Sequence, residues 1–408
     1  MRGWWRANIG GLPTTYWYLW AGLLINKVGA FGIIFLSLYL VKARGLDESG
    51  AGLVVGMYGV GGAGGVLFSG VLADRWGRRK TLMVSHLATT ICMLGLAFVP
   101  WIPAIGALTL LVGAAQSMVG PPLVAAMVDV VPQPDRTRAF SLEFWAINVG
   151  TTVAAPLAGL LADVGFTPLF LVEAGATFGT LMILAFKVPE TLVRRPVDRR
   201  EGLGTVLVDR PWMVFVGLTV VLAVLETMTT RILPLAMSHD GLRPSAFGFV
   251  MGCAGFMIVA GQLFMPRLIS GRRDTRVLAL ANLLVAAGIV GFAASAVVPA
   301  YLGAALVLTM GQMLAAPANA TTITDLSTMT LRARYQAVFY LSFPLANFIS
   351  PALGGWSLQH LGDWTWLLFG AVGVLGAAGH LAAEPGRTRR IAVLRAREAD
   401  PEAACLTP

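Results

Sequence analysis

At 408 residues, with 56% hydrophobic and 12% charged residues, the chain has too little polar surface to cover a soluble core of its size. Its mean hydropathy is strongly positive and apolar runs recur throughout, which predicts an all-α polytopic membrane protein. The net charge of +9 fits a basic membrane face attracted to anionic lipid, so nucleic acid is not needed as a partner.

The N-terminal stretch MRGWWRANIG is basic and aromatic. No small-residue cleavage site follows the first apolar run, which is therefore expected to remain as a helix. Runs of about 20 apolar residues predict spans near 15–42, 49–73, 81–100, 103–130, 138–163 and 166–187. A basic, Pro-containing stretch, 188–209, is too short for a domain and reads as a linker. Six further spans are predicted near 211–237, 245–269, 276–298, 300–327, 335–358 and 364–384. The expected organisation is a first six-helix bundle over 1–187, a cytoplasmic linker over 188–209, a second bundle over 210–384 and a cytoplasmic tail over 385–408.

With twelve spans, the N-terminus, the loops after even-numbered spans and the tail share one side. Those segments hold 25 of the 30 Lys and Arg residues. The opposite loops hold only Lys42, Arg44 and Arg243. The positive-inside rule then places both termini in the cytoplasm of a multi-pass plasma-membrane protein.

The two halves repeat. Gly52, Gly56 and Gly59 fall on Gly248, Gly252 and Gly255; Gly77-Arg78-Arg79 falls on Gly271-Arg272-Arg273. Gln116, Asp129, Pro156 and Gly159 fall on Gln312, Asp325, Pro351 and Gly354, and every shift is 194 to 196 residues. Gly45-Leu46 likewise falls on Gly241-Leu242, and one offset holding from the first helix pair to the fifth implies two pseudo-symmetric six-helix bundles with a binding cavity between them.

Residues 70–80, GVLADRWGRRK, resemble the loop 2–3 signature of the major facilitator superfamily: Gly, three residues, Asp-Arg, one residue, Gly-Arg and a basic residue. The resemblance implies the major facilitator fold. It also implies that Gly70, Asp74, Arg75, Gly77 and Arg78, with Asp129 at the inner end of span 4, form an inner gate. In the second half the Asp-Arg pair is replaced by Leu268-Ile269. Ser350-Pro351-Ala352-Leu353-Gly354-Gly355 is similar to an element of proton-driven drug antiporters. That element sits on helix 5 in the antiporters, whereas span 5 here has only Ala155-Pro156-Leu157-Ala158-Gly159, and Gly113 stands where they carry an Arg.

Ionisable side chains within a bilayer are costly, and each suggests a function. Lys27 lies about 18 Å into span 1 and Glu226 about 22 Å into span 7 at the helical rise. The pair is expected to face across the cavity, with Glu226 as proton carrier and Lys27 as its partner or as a contact for an anionic group; the alternative is a static pair that fixes packing. Gln116 and Gln312 are candidate cavity polar groups. Asn26 and Trp145 complete the candidate cavity set, although Asn26 also suits an interhelical hydrogen bond. Arg231, at the outer end of span 7, is expected to snorkel to the headgroups. Glu173 and Glu143, near span ends, fit an interfacial position.

Cys92, Cys253 and Cys405 have no metal or redox spacing, so neither metal nor cofactor is expected. No phosphate-binding Gly-rich loop or His-Glu-x-x-His element occurs, which argues against an ATP-driven pump or a membrane protease. The expectation is a monomeric, proton-coupled secondary transporter in the lipid bilayer. It would move small amphipathic molecules, by efflux, through alternating access. The alternatives are an importer of an organic anion or nutrient, and a non-transporting sensor on the same scaffold.

Overall fold

The computed structural model describes residues 11–191, 204–262, 264–327 and 331–399. These residues fold into helices, with no strand among them. Eleven described helices are long and apolar enough to cross a membrane. The remaining crossing is the first, α1 (Thr14–Val28), which breaks and resumes as Leu36–Lys42. The others are α2 (Glu48–Trp76), α3 (Arg78–Phe98), α4 (Ile102–Val130), α5 (Arg136–Val164) and α6 (Thr167–Lys187). The second half repeats the pattern: α7 (Arg210–Arg231) followed by the short Leu233–His239, α8 (Pro244–Gly261) and α9 (Asp274–Ala293). It ends with α10 (Val298–Leu326), α11 (Ser342–Leu361) and α12 (Trp364–Ala382).

Two glycine-lined crossings join the bundles, α2 on α11 and α5 on α8. A Cβ on Gly52 would strike the carbonyl of Pro351, and one on Gly355 would strike that of Glu48. The equivalent crossing brings Gly159 against Gly248. Small residues let helix backbones approach closely in a membrane, which explains why the repeat is written so heavily in glycine.

The two crossings are tight on one half of the molecule only. On the half opposite the 70–80 loop, His239 bonds Glu48 at 2.6 Å and the Ser245 N–H donates to Asp163 at 3.2 Å, each pair spanning the bundles. Toward the Arg-rich half, a Cβ on Gly70 would meet nothing, and Phe68 and Tyr340 are exposed. The structure is therefore closed on the face opposite the 70–80 loop and parted on the Arg-rich face.

The repeat extends to the loops. In the first half Glu190 accepts from the Arg78 backbone N–H at 2.9 Å. In the second, Glu384 accepts from the Arg273 guanidinium at 2.9 Å. Glu384 opens α13 (Glu384–Ala399), the first part of the expected tail. That helix docks on the second bundle, where Arg390 pairs with Asp209 at 2.9 Å and Tyr335 donates to the same carboxylate at 2.8 Å. Most of the expected linker, 192–203, and the chain end, 400–408, lie outside the described residues.

Candidate functional site

The break in α1 sets up the site. Gly29 and Gly32 let the chain lie against α6, and a Cβ on Gly32 would collide with Phe170 and Glu173. A broken helix leaves backbone donors to satisfy. Glu173 meets that need, since its Oε2 accepts from the Gly32 N–H at 2.6 Å. Its Oε1 accepts from Gln116 Nε2 at 2.8 Å, and Gln116 Oε1 accepts from the Tyr58 hydroxyl at 2.9 Å. One chain of hydrogen bonds thus ties the α1 break to α6, α4 and α2.

Arg231 reaches in from the second bundle. Its guanidinium donates to the Ile33 carbonyl at 2.7 Å and to Asn347 Oδ1 at 3.2 Å. It also lies over the Tyr58 ring, 5.3 Å from the centroid, a cation–π geometry. Glu173 interacts electrostatically with both Arg231 and Lys27.

These groups border a cavity of about 380 Å³ between the bundles, inside the ~300–1,000 Å³ range of small-molecule sites. The first bundle contributes Lys27, Tyr58, Gln116, Thr151, Thr152 and Glu173. Opposite them stand Arg231, Phe247, Met251, Ile258, Leu308 and Gln312. Lys27 and Gln312 make no hydrogen bond or ion pair with any described residue. Lys27 is placed by a close contact of its backbone and Cβ with α5, for which Gly150 leaves room.

Several expectations change here. Glu226 is not part of the cavity wall and forms no ion pair with Lys27; the cavity carboxylate is Glu173, on α6 of the first bundle. Arg231 does not snorkel to the headgroups, because α7 ends at Ile232 and turns its last side chain across the interface. Asn26 is off the cavity wall and donates to Thr177 Oγ1 at 3.3 Å, the interhelical hydrogen bond also expected of it. Trp145 is also off the wall, stacked on Trp20 with centroids 6.3 Å apart. Gln116 and Gln312 both line the cavity. Tyr58 carried no sequence signal beyond being a polar aromatic between glycines. The paired Gly29 and Gly32 were the one hint that a backbone break needed a partner such as Glu173.

Of the residues expected at an inner gate, Asp74, Arg78 and Asp129 come together on the Arg-rich face. Gly77 ends α2 at φ +102°, a conformation that favours glycine. Arg78, only 14% exposed, pairs with Asp74 at 3.1 Å and with Asp129 at 3.4 Å, the second contact lacking hydrogen-bond geometry. Arg79 donates to the carbonyls of Leu184 and Ala185 on α6. Arg75 is exposed, and Gly70 faces open space.

Two six-helix bundles that meet at one face and part at the other, around a cavity lined by both polar and apolar side chains, define a membrane transporter rather than an enzyme. The Major Facilitator Superfamily model matches residues 19–273 and 216–402, and the chain belongs to that superfamily. It is 24% identical over 375 residues to "Multidrug resistance protein MdtH" of Escherichia coli O1:K1 / APEC, covering 86% of this chain and 90% of that protein. It is 25% identical over 348 residues to "Uncharacterized MFS-type transporter YhjO" of Bacillus subtilis (strain 168), covering 83% and 85%. Among solved structures, nucleoside transporter NupG superposes with a TM-score of 0.78 at 14% identity, over 90% of this chain and 99% of that one. A peptide transporter POT in complex with sulfate gives 0.79 at 15% identity, over 94% and 96%.

Proposed function

We propose that the protein is a proton-coupled transporter of the plasma membrane that exports small amphipathic molecules, with its Arg-rich face and both termini in the cytoplasm. The observation that carries this reading is the position of Glu173. Its carboxylate is buried at 2% exposure, borders the cavity, and is bonded to the α1 break and to Gln116. Hydrogen bonds to a charged acceptor are roughly twice as strong as those to a neutral one. Proton uptake by Glu173 therefore loosens the contacts that hold α1 and α4 in place, and proton release restores them. Glu173 takes the carrier role expected of Glu226. Asp74, Arg78 and Asp129 serve as the latch of the cytoplasmic face when it closes. Export is supported by similarity, at low identity, to proteins named for multidrug resistance.

The test is transport into proteoliposomes across an imposed pH gradient, with ethidium and cinnamate as a cationic and an anionic probe, movement of either one sufficing. Glu173→Gln should abolish gradient-driven accumulation while leaving exchange of probe for probe. Glu226→Gln should retain both. Gradient-driven transport undiminished by Glu173→Gln removes the carrier from this reading, and absence of exchange in the unaltered protein removes transport of these probes.

A further inference from the structure

The polar groups of the cavity are not equally engaged. Glu173 has both oxygens in hydrogen bonds, to Gly32 and Gln116. Gln116 is occupied by Glu173 and Tyr58, and Arg231 by Ile33 and Asn347. Against these stand Lys27 and Gln312, which border the cavity and make no hydrogen bond to a described residue, Lys27 having only the longer-range attraction of Glu173. A lysine in a membrane interior carries a solvation deficit that a partner must relieve. Two cationic side chains and one carboxylate line the space. Both sides of the wall are mixed, but its bulkiest apolar side chains, Phe247, Met251, Ile258 and Leu308, stand on the second-bundle side, across from Lys27 and Glu173.

We infer that the cargo is a small amphipathic organic anion, a carboxylate or sulfonate whose charged group is held by Lys27 and whose apolar body lies against the second-bundle wall. Gln312 supplies an amide donor from the side opposite Lys27. An aromatic or branched aliphatic body fits the Phe and Met surface, which adapts to several shapes. Cationic and neutral amphiphiles of the same shape are disfavoured, because they bring Lys27 no hydrogen-bonded counter-charge while Glu173 is shared with Arg231, and an amine adds a third positive charge. This deepens the transporter reading above and rests on it only in taking the cavity as the cargo site.

The experiment uses the full chain in detergent and in proteoliposomes, with three matched sets of compounds built on phenyl, cinnamyl and naphthyl skeletons. Each set contains the carboxylate, the primary amide and the primary amine. Binding is read by calorimetry, and proton movement by a dye inside the same vesicles. The carboxylates should bind at least about tenfold more tightly than their amides and amines, as expected for a charge-assisted contact. Lys27→Gln should raise the carboxylate Kd by about 10- to 100-fold and leave the amide Kd unchanged, with Lys27→Arg restoring most of the loss. Amides or amines that bind as well as carboxylates overturn the inference in the unaltered protein, without any variant. A carboxylate Kd that ignores Lys27→Gln overturns it too, as does failure of every carboxylate to bind. The two readings separate cleanly. Lys27-dependent carboxylate binding without coupled proton movement sinks the coupling and keeps the anion; gradient-driven movement of an amine keeps the coupling and sinks the anion.

Discussion

Ser37 Oγ donates a 2.6 Å hydrogen bond to the carbonyl of Arg231, the residue 194 positions further along the chain. The offset of the repeat on the neighbouring span is 196, Gly52 falling on Gly248, so Ser37 and Arg231 lie two residues from exact equivalence in the two halves. Near-equivalent positions touch only near the axis that relates the halves. Arg231 returns the contact through its guanidinium, which reaches Ile33. The axis of the molecule therefore passes through a polar clasp, and the cavity sits beside it.

The clasp should govern which face is closed. Arg231→Ala removes the bonds to Ile33 and Asn347 and the stacking on Tyr58. A charged hydrogen bond is worth about 1.5–3 kcal/mol, so the closed arrangement should lose about 10- to 100-fold in population. Spin labels on the two bundles, placed at the face that is closed here, should report longer distances. Unchanged distances would show that the glycine crossings alone hold this face.

Bulk added to the glycine seams should trap opposite states. Gly52→Val places atoms where the Pro351 carbonyl lies, and such overpacking costs about 1–3 kcal/mol. It should bias the protein toward the state open on that face and lower transport by about tenfold. Gly70→Val meets nothing in the present state, so the melting temperature should hold while transport fails, because the Arg-rich face can no longer close. Normal transport by Gly70→Val would mean that α2 and α11 never approach there.

The two carboxylates around Arg78 should separate stability from turnover. Asp74 is 62% exposed and Asp129 20%, and exposed ion pairs contribute about 0–1 kcal/mol. Asp129→Asn should lower thermal stability more than Asp74→Asn. Asp74→Asn should still impair transport, since that side chain lies on the surface that must close. Melting curves and exchange rates measured on the same samples decide this, and equal melting losses would count against it.

Closure of the face opposite the 70–80 loop should weaken in alkali. The hydrogen bond to Glu48 holds the His239 imidazolium, so its pKa lies above the ordinary 6.5, helped by Asp240 and Asp363 nearby. A raised pKa means that the bridge contributes fully below about 6.5 and is lost as pH rises through the folded value. Label distances across that face should lengthen above the transition in the unaltered protein and show no pH step in His239→Ala or Glu48→Gln. A step that persists in both variants would belong to another group.

Much of the architecture was written along the chain. Long apolar runs specify helices, because lipid offers backbone groups no alternative partner. The repeated Gly52, Gly56 and Gly59, matched by Gly248, Gly252 and Gly255, were legible as a repeat, and the structure shows that they are where the bundles touch, since a missing side chain permits that approach. Arg78 of the 70–80 loop likewise lies against Asp74 and Asp129, residues singled out by the resemblance to the superfamily signature.

The chemistry of the cavity was decided in three dimensions. Depth along a helix is a one-dimensional measure, and it singled out Glu226 for lying deep in α7. Which way a side chain points depends on how helices rotate and where they break. The break at 29–35 turned Glu173 into a needed acceptor, and the end of α7 at Ile232 turned Arg231 across the axis. Sequence fixes which residues enter the membrane, because transfer from water is a property of each segment. Which of them meet is set by packing between segments far apart in the chain, and local pattern carries no record of it.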